Sequence, residues 1–163
     1  MSEIDVRFIK PFIDGTITTL RVQCSVEAKP EKPFIKGSKP QPNFELTGII
    51  GITSEAFTGS ITLCFPGPVF LALMGKMLGE EFPVITEDLQ SGAAELLNII
   101  FGSAKVVLNQ QGYAIQKAIP TVISGVGLKT TQLGQQPGMV LPFTTSVGEF
   151  HIEITLEAAS MKK

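Results

Sequence analysis

The chain has 163 residues, 44% hydrophobic and 17% charged, a balance that suits a globular domain with a real core and excludes a disordered segment. A formal net charge of −2 leaves no broad basic footprint for nucleic acid, and one histidine with two distant cysteines, Cys24 and Cys64, cannot assemble an ordinary Cys/His zinc site. The opening MSEIDVRFIK lacks the order of a secretory signal, and no unbroken apolar run approaches the roughly 18 residues of a membrane span, so the expectation is a cytoplasmic protein with reduced, packed thiols and no membrane partner.

From Ile4 to about Val26 the apolar positions Ile4, Phe8, Ile9, Phe12, Ile13, Ile17 and Leu20 fall on one helical face. Pro11 either bends this helix or marks its true start, and the β-branched TITTLRVQ weakens the pattern. AKPEKPFIKGSKPQPN is rich in proline and lysine and reads as an extended surface loop with a short strand at PFIK. FELTGIIGIT and TGSITLCF are strands joined by a turn at SEAFTG. PVFLALMGKMLG begins with Pro68 near a first helical position and ends at Gly79, and its Met/Leu stripe suits core or dimer contact. Thr86 is placed to cap a long helix whose first turn carries Glu87 and Asp88 and which Gly112 closes in a left-handed conformation.

Beyond it the signals turn to strands. YAIQKAIPTVISG predicts one or two strands broken at Pro120, LKTTQLGQQPG a polar loop or edge strand, MVLPFTTS a strand, and GEFHIEITLEA a strand with strict alternation. Phe150, Ile152, Ile154 and Leu156 share one face of the last strand; His151, Glu153 and Thr155 share the other, where His151 is expected as an ordinary surface histidine. IIGITSEAFTGSITLCF and MVLPFTTSVGEFHIEITL echo each other faintly as strand, turn and strand. The fold class is α/β: a mostly antiparallel sheet packed by long helices, with a hint of a pseudo-two-fold axis, in a single domain over residues 1–163.

The stretch SGAAELLNIIFGSAKVVLN raises the functional question. At about 100° per residue, Leu89, Ala93, Leu96, Ile100, Ala104 and Val107 form a core stripe flanked by Leu97 and Leu108. Ser91, Glu95, Asn98, Gly102, Lys105 and Asn109 fall on the opposite stripe. An ordinary solvated face explains such a stripe, although solubility alone usually selects Lys/Glu pairs, and asparagine is a mediocre helix-interior residue. A bare face with Ser91 and Gly102 bracketing an acid and an amide instead lets another protein's backbone approach Glu95 and Asn98.

Ser91, three residues, Glu95, two residues, Asn98, twenty-one residues, Pro120 is similar to the motif [DS]-x3-E-x2-N-x21-P of the CheC/CheX/FliY family of chemotaxis phosphatases. FIKPFIDGTI resembles that family's N-terminal helix, GIIGITSEAFTGSITLCFP its first hairpin and MVLPFTTSVGEFHIEITL its last. Two-site members repeat the acid and amide on the N-terminal helix; here DGTITTLR offers only Asp14, Thr18 and Arg21, so the chain resembles the single-site CheX type. The resemblance implies hydrolysis of the aspartyl phosphate of a CheY-like receiver domain, with Mg2+ held by the partner and no metal or cofactor in this chain. Asn98 would hold the attacking water, Glu95 would pair with the receiver's lysine, and Ser91, Gly102 and Lys105 would line the contact. Glu95 as a general base and Lys105 as merely solvated stand as other readings of those residues, and Pro120 reads as a strand-entry or turn residue rather than a catalytic one. The resemblance also implies a homodimer. A second possibility is a non-catalytic CheX-like module that binds a receiver or a flagellar-switch protein.

Overall fold

The computed structural model describes residues 6–55, 57–117, 119–128 and 138–158. Among these, three helices cover one face of an eight-stranded sheet. The stretch LKTTQLGQQPG lies, between Lys129 and Pro137, outside the described residues, as does Ile4.

α1 (Val6–Cys24) runs unbroken through Pro11 and through the β-branched segment. Thr16, fully buried, donates its hydroxyl to the Phe12 carbonyl at 2.7 Å, which satisfies a polar atom inside the core. β1 (Lys29–Pro30) and β2 (Phe34–Ile35) follow, then the hairpin of β3 (Phe44–Thr53) and β4 (Phe57–Phe65). α2 (Gly67–Leu78) carries proline in its first turn and ends on Gly79 at φ 78°, a left-handed cap that glycine adopts without steric cost. α3 (Glu87–Gln110) starts where expected, with the Thr86 side chain accepting a hydrogen bond from the Leu89 amide at 3.3 Å. Gly112 turns the chain at φ 94°, and the Asn109 carboxamide accepts from the Ile115 amide at 2.7 Å. Asn109 therefore serves the helix exit. β5 (Gln116–Lys117), β6 (Thr121–Leu128), β7 (Met139–Thr145) and β8 (Gly148–Ala158) complete the sheet.

The strand order is β1-β7-β8-β4-β3-β5, with β2 also on β7 and β6 also on β3. The hairpins β3–β4 and β7–β8 lie back to back across the antiparallel β4–β8 pairing, whose register sets Ile61 opposite Ile154. Leu46, Ile50, Ile61, Leu63, Ile152 and Ile154 face the helices and join their apolar sides in one core. Phe65 sits 5.5 Å from Phe70 of α2 and 5.2 Å from Phe150, which stacks on Phe143. At the other end Phe8 meets Phe57 at 5.4 Å and Tyr113 at 5.6 Å. Among the described residues nothing pairs with the outer border of β6, which carries exposed Ile123 and Val126 and no charge.

The far face of the sheet overturns the expectation for His151. It is buried, not on the surface, with its ring edge-on to Phe34 at 6.0 Å and Phe44 at 5.5 Å. The proline-rich segment folds back along β7 and covers this face, and Lys36 reaches Glu153 at 3.1 Å beneath it. α3 also departs from its predicted wheel. Val107 is exposed and Phe101 is buried, whereas Leu97 and Leu108 are buried as expected. The helix packs on the sheet as well as on α1, with Leu97 against Gly48, and this turns the buried arc toward the strands. By length and average composition α3 is apolar enough to cross a bilayer, which a search for unbroken runs does not register. Its Leu/Phe arc packs inside the domain, in the manner of a core helix.

Candidate functional site

α3 carries the expected site residues on one solvent-facing arc. Ser91, Glu95 and Gly102 are exposed, and Asn98 and Lys105 are half-buried. Glu95 and Asn98 stand three residues apart, about 4.5 Å along the axis and on adjoining rows, so the helix fixes their spacing. The Ser91 hydroxyl leans back toward the Glu87 carbonyl at 3.4 Å. At Gly102 an added Cβ would meet nothing within 4 Å, so packing does not require glycine there.

Two elements flank the arc. α1 approaches closely at Gly15, where a Cβ would meet the Ile100 carbonyl at 3.3 Å and Ser103 Cβ at 3.4 Å. β6 borders the Asn98 side: the Gln90 carboxamide donates to the Ser124 hydroxyl at 2.7 Å, and Leu97 and Val122 converge on Gly48. From Ser124 back to Pro120 the strand therefore travels toward the C-terminal half of α3. Pro120 lies between β5 and β6, where its missing N–H interrupts the edge strand.

Asp14 and Arg21 of α1, in the stretch DGTITTLR, are engaged locally. Lys10 binds Asp14 at 3.1 Å, and Arg21 binds Glu27 at 3.0 Å. Among the described residues no histidine or lowered thiol stands near the arc to act on a nucleophile. His151 is buried under Phe34 and Phe44, on the sheet face opposite α3. Burial pushes the Cys24 thiol up to about 11 and the Cys64 thiol well above its usual range. Among the described residues no three His, Cys, Asp or Glu side chains come together.

The arc is thus an exposed ridge, not a cleft. An acid and an amide in that setting cannot exclude water or stabilise a transition state by themselves, but they can enter a pocket that another molecule provides.

Residues 46–144 match the family described as chemotaxis phosphatase CheX. The chain is 29% identical over 132 residues to the CheY-P phosphatase CheX of Thermotoga maritima, covering 80% of this chain and 84% of that protein. A CheC-like superfamily protein from Shewanella sp. PV-4 superposes with a TM-score of 0.88 at 32% identity, over 94% of this chain and 99% of that one. The chemotaxis protein CheX from Vibrio vulnificus superposes with a TM-score of 0.87 at 30% identity, over 93% and 100%. With a family match over more than half its length and the same fold over more than nine-tenths of it, the chain belongs to the chemotaxis phosphatase CheX family.

Proposed function

We propose that this protein is a phosphatase for the aspartyl phosphate of a CheY-like receiver domain. The observation that carries the reading is Glu95 and Asn98 one turn apart on a bare ridge, in a chain of this family. The relative from Thermotoga maritima bears the name of a CheY-P phosphatase.

An acyl phosphate is already activated, and its hydrolysis needs a water held in line with the P–O bond to the aspartate. Asn98 presents both a donor and an acceptor on one carboxamide, which suits it to orient that water. The water oxygen bonds to phosphorus as the aspartate oxygen leaves, and inorganic phosphate departs. Glu95, an exposed carboxylate beside it, pairs with the receiver's lysine and sets the register of the complex. Ser91, Gly102 and Lys105 line the contact. The divalent cation belongs to the receiver, and this chain supplies no metal or cofactor of its own.

A homodimer is part of the same proposal. The uncharged border of β6 suits a second copy, because an antiparallel strand edge is complementary to itself.

The test is the lifetime of a phosphorylated cognate receiver. Wild type shortens it, and Asn98→Ala abolishes at least 90% of the acceleration while still binding the receiver. Wild-type speed in Asn98→Ala would remove the catalytic assignment. A receiver that binds the wild type yet keeps its phosphate would make the protein a binding module.

A further inference from the structure

The solvent arc of α3 does not end at Gly102. Val106, four residues on, continues the same row and is 60% exposed. On α1 the row Pro11, Gly15 and Val22 shows the converse. Pro11 and Gly15 are buried, whereas Val22 is 67% exposed. The two helices run antiparallel, because Phe8 lies beside Tyr113 while Gly15 lies against Ile100 and Ser103. Seven residues past Gly15, or about 10 Å along the axis, Val22 therefore stands at about the level of Glu95. Val106 thus extends the arc beyond Asn98, and Val22 lies on the neighbouring helix at about the level of Glu95.

Lys105 on α3 and exposed Arg7 on α1 border this lane. Also on α1, Lys10 pairs with Asp14 and Arg21 with Glu27. Thr18 and Gly102 fill the space between with small, neutral groups. A partner that seats Glu95 and Asn98 and extends along both helices covers both valines, and what they offer it is apolar area. Valine has few rotamers to lose on contact, so its burial is not offset by much ordering entropy.

We propose that Val22 and Val106 are specificity-determining contacts that seat an apolar rim around the receiver's phospho-aspartate pocket. This rests on the phosphatase reading above. Such contacts act equally on the bound ground state and the transition state, so their loss raises KM and leaves kcat alone.

The experiment is steady-state phosphate release from the phosphorylated cognate receiver over a range of its concentrations. Wild type, Val22→Glu, Val106→Glu and the milder Val22→Ser and Val106→Ser are compared, with Asn98→Ala as the chemical control and thermal melting as the fold control. Each glutamate variant is expected to raise KM about tenfold and each serine variant about threefold, with kcat within twofold and melting unchanged. An unchanged KM in the glutamate variants, or a loss confined to kcat, overturns the proposal while a slow Asn98→Ala leaves the phosphatase reading standing. If Asn98→Ala retains the wild-type kcat, the phosphatase reading itself falls, and the docking proposal falls with it.

Discussion

Lys36 Nζ lies 3.1 Å from Glu153 Oε2, with the two side chains only 12% and 6% exposed, so a residue of the proline-rich segment is tied by charge to the middle of β8. An ion pair this deep offsets a large desolvation cost, and removing one member leaves the other buried without its counter-charge. Lys36→Met is therefore expected to destabilise the fold by about 3 kcal/mol. The double variant Lys36→Met/Glu153→Leu should recover most of that loss. Urea unfolding of wild type, Lys36→Met, Glu153→Leu and the double variant measures the coupling, and additive losses would show that the two side chains act independently.

His151 makes the same face sensitive to acid. Burial is the main force holding its imidazole below the ordinary 6.5, with Lys36 acting in the same direction and Glu153 and Glu149 against it. The unfolded chain then binds the proton more readily than the native one. Stability is full above the unfolded value and falls as the pH drops from there through the lower folded value. Unfolding free energies between pH 7.5 and 5.5 should fall for wild type and change less for His151→Gln. Equal slopes in the two proteins would refute this.

Gly102 separates stability from action. With open space where its Cβ would stand, Gly102→Ala relieves the entropic penalty of a mid-helix glycine and is expected to stabilise by about 0.5–1 kcal/mol. If a receiver's backbone approaches there, the same methyl group slows receiver dephosphorylation roughly fivefold. A chain that melts higher and works more slowly is the predicted outcome. Unchanged dephosphorylation would mean that the bare position has no role in docking.

The local devices were legible because each is a property of neighbouring residues. Thr86 ahead of Glu87 and Asp88, Gly79 after a Met/Leu helix and the break at Pro120 all fall where their chemistry places them. The arc of Ser91, Glu95, Asn98 and Gly102 was readable for the same reason, since a helix fixes its own angular order. Long-range cover was not. Strand alternation marks His151 and Glu153 as solvent-facing, but residues distant in sequence, Phe34 and Lys36, close over them. Val107 failed on the same ground: a wheel gives angles and does not say that the helix leans on the sheet through Leu97. Val22 carried no signal in the sequence, because its level relative to Glu95 depends on how α1 packs on α3.

The two borders of the sheet are chemically unlike. Beside β7 run Lys29, Pro30, Glu31, Lys32 and Pro33, where charge and missing amide hydrogens discourage further strands, while β6 has neither protection. Two copies meeting border to border along β6 would consume both open edges at once. Among the described residues only guarded edges would then remain, so growth would stop at a pair and the same strand that invites association would set its limit.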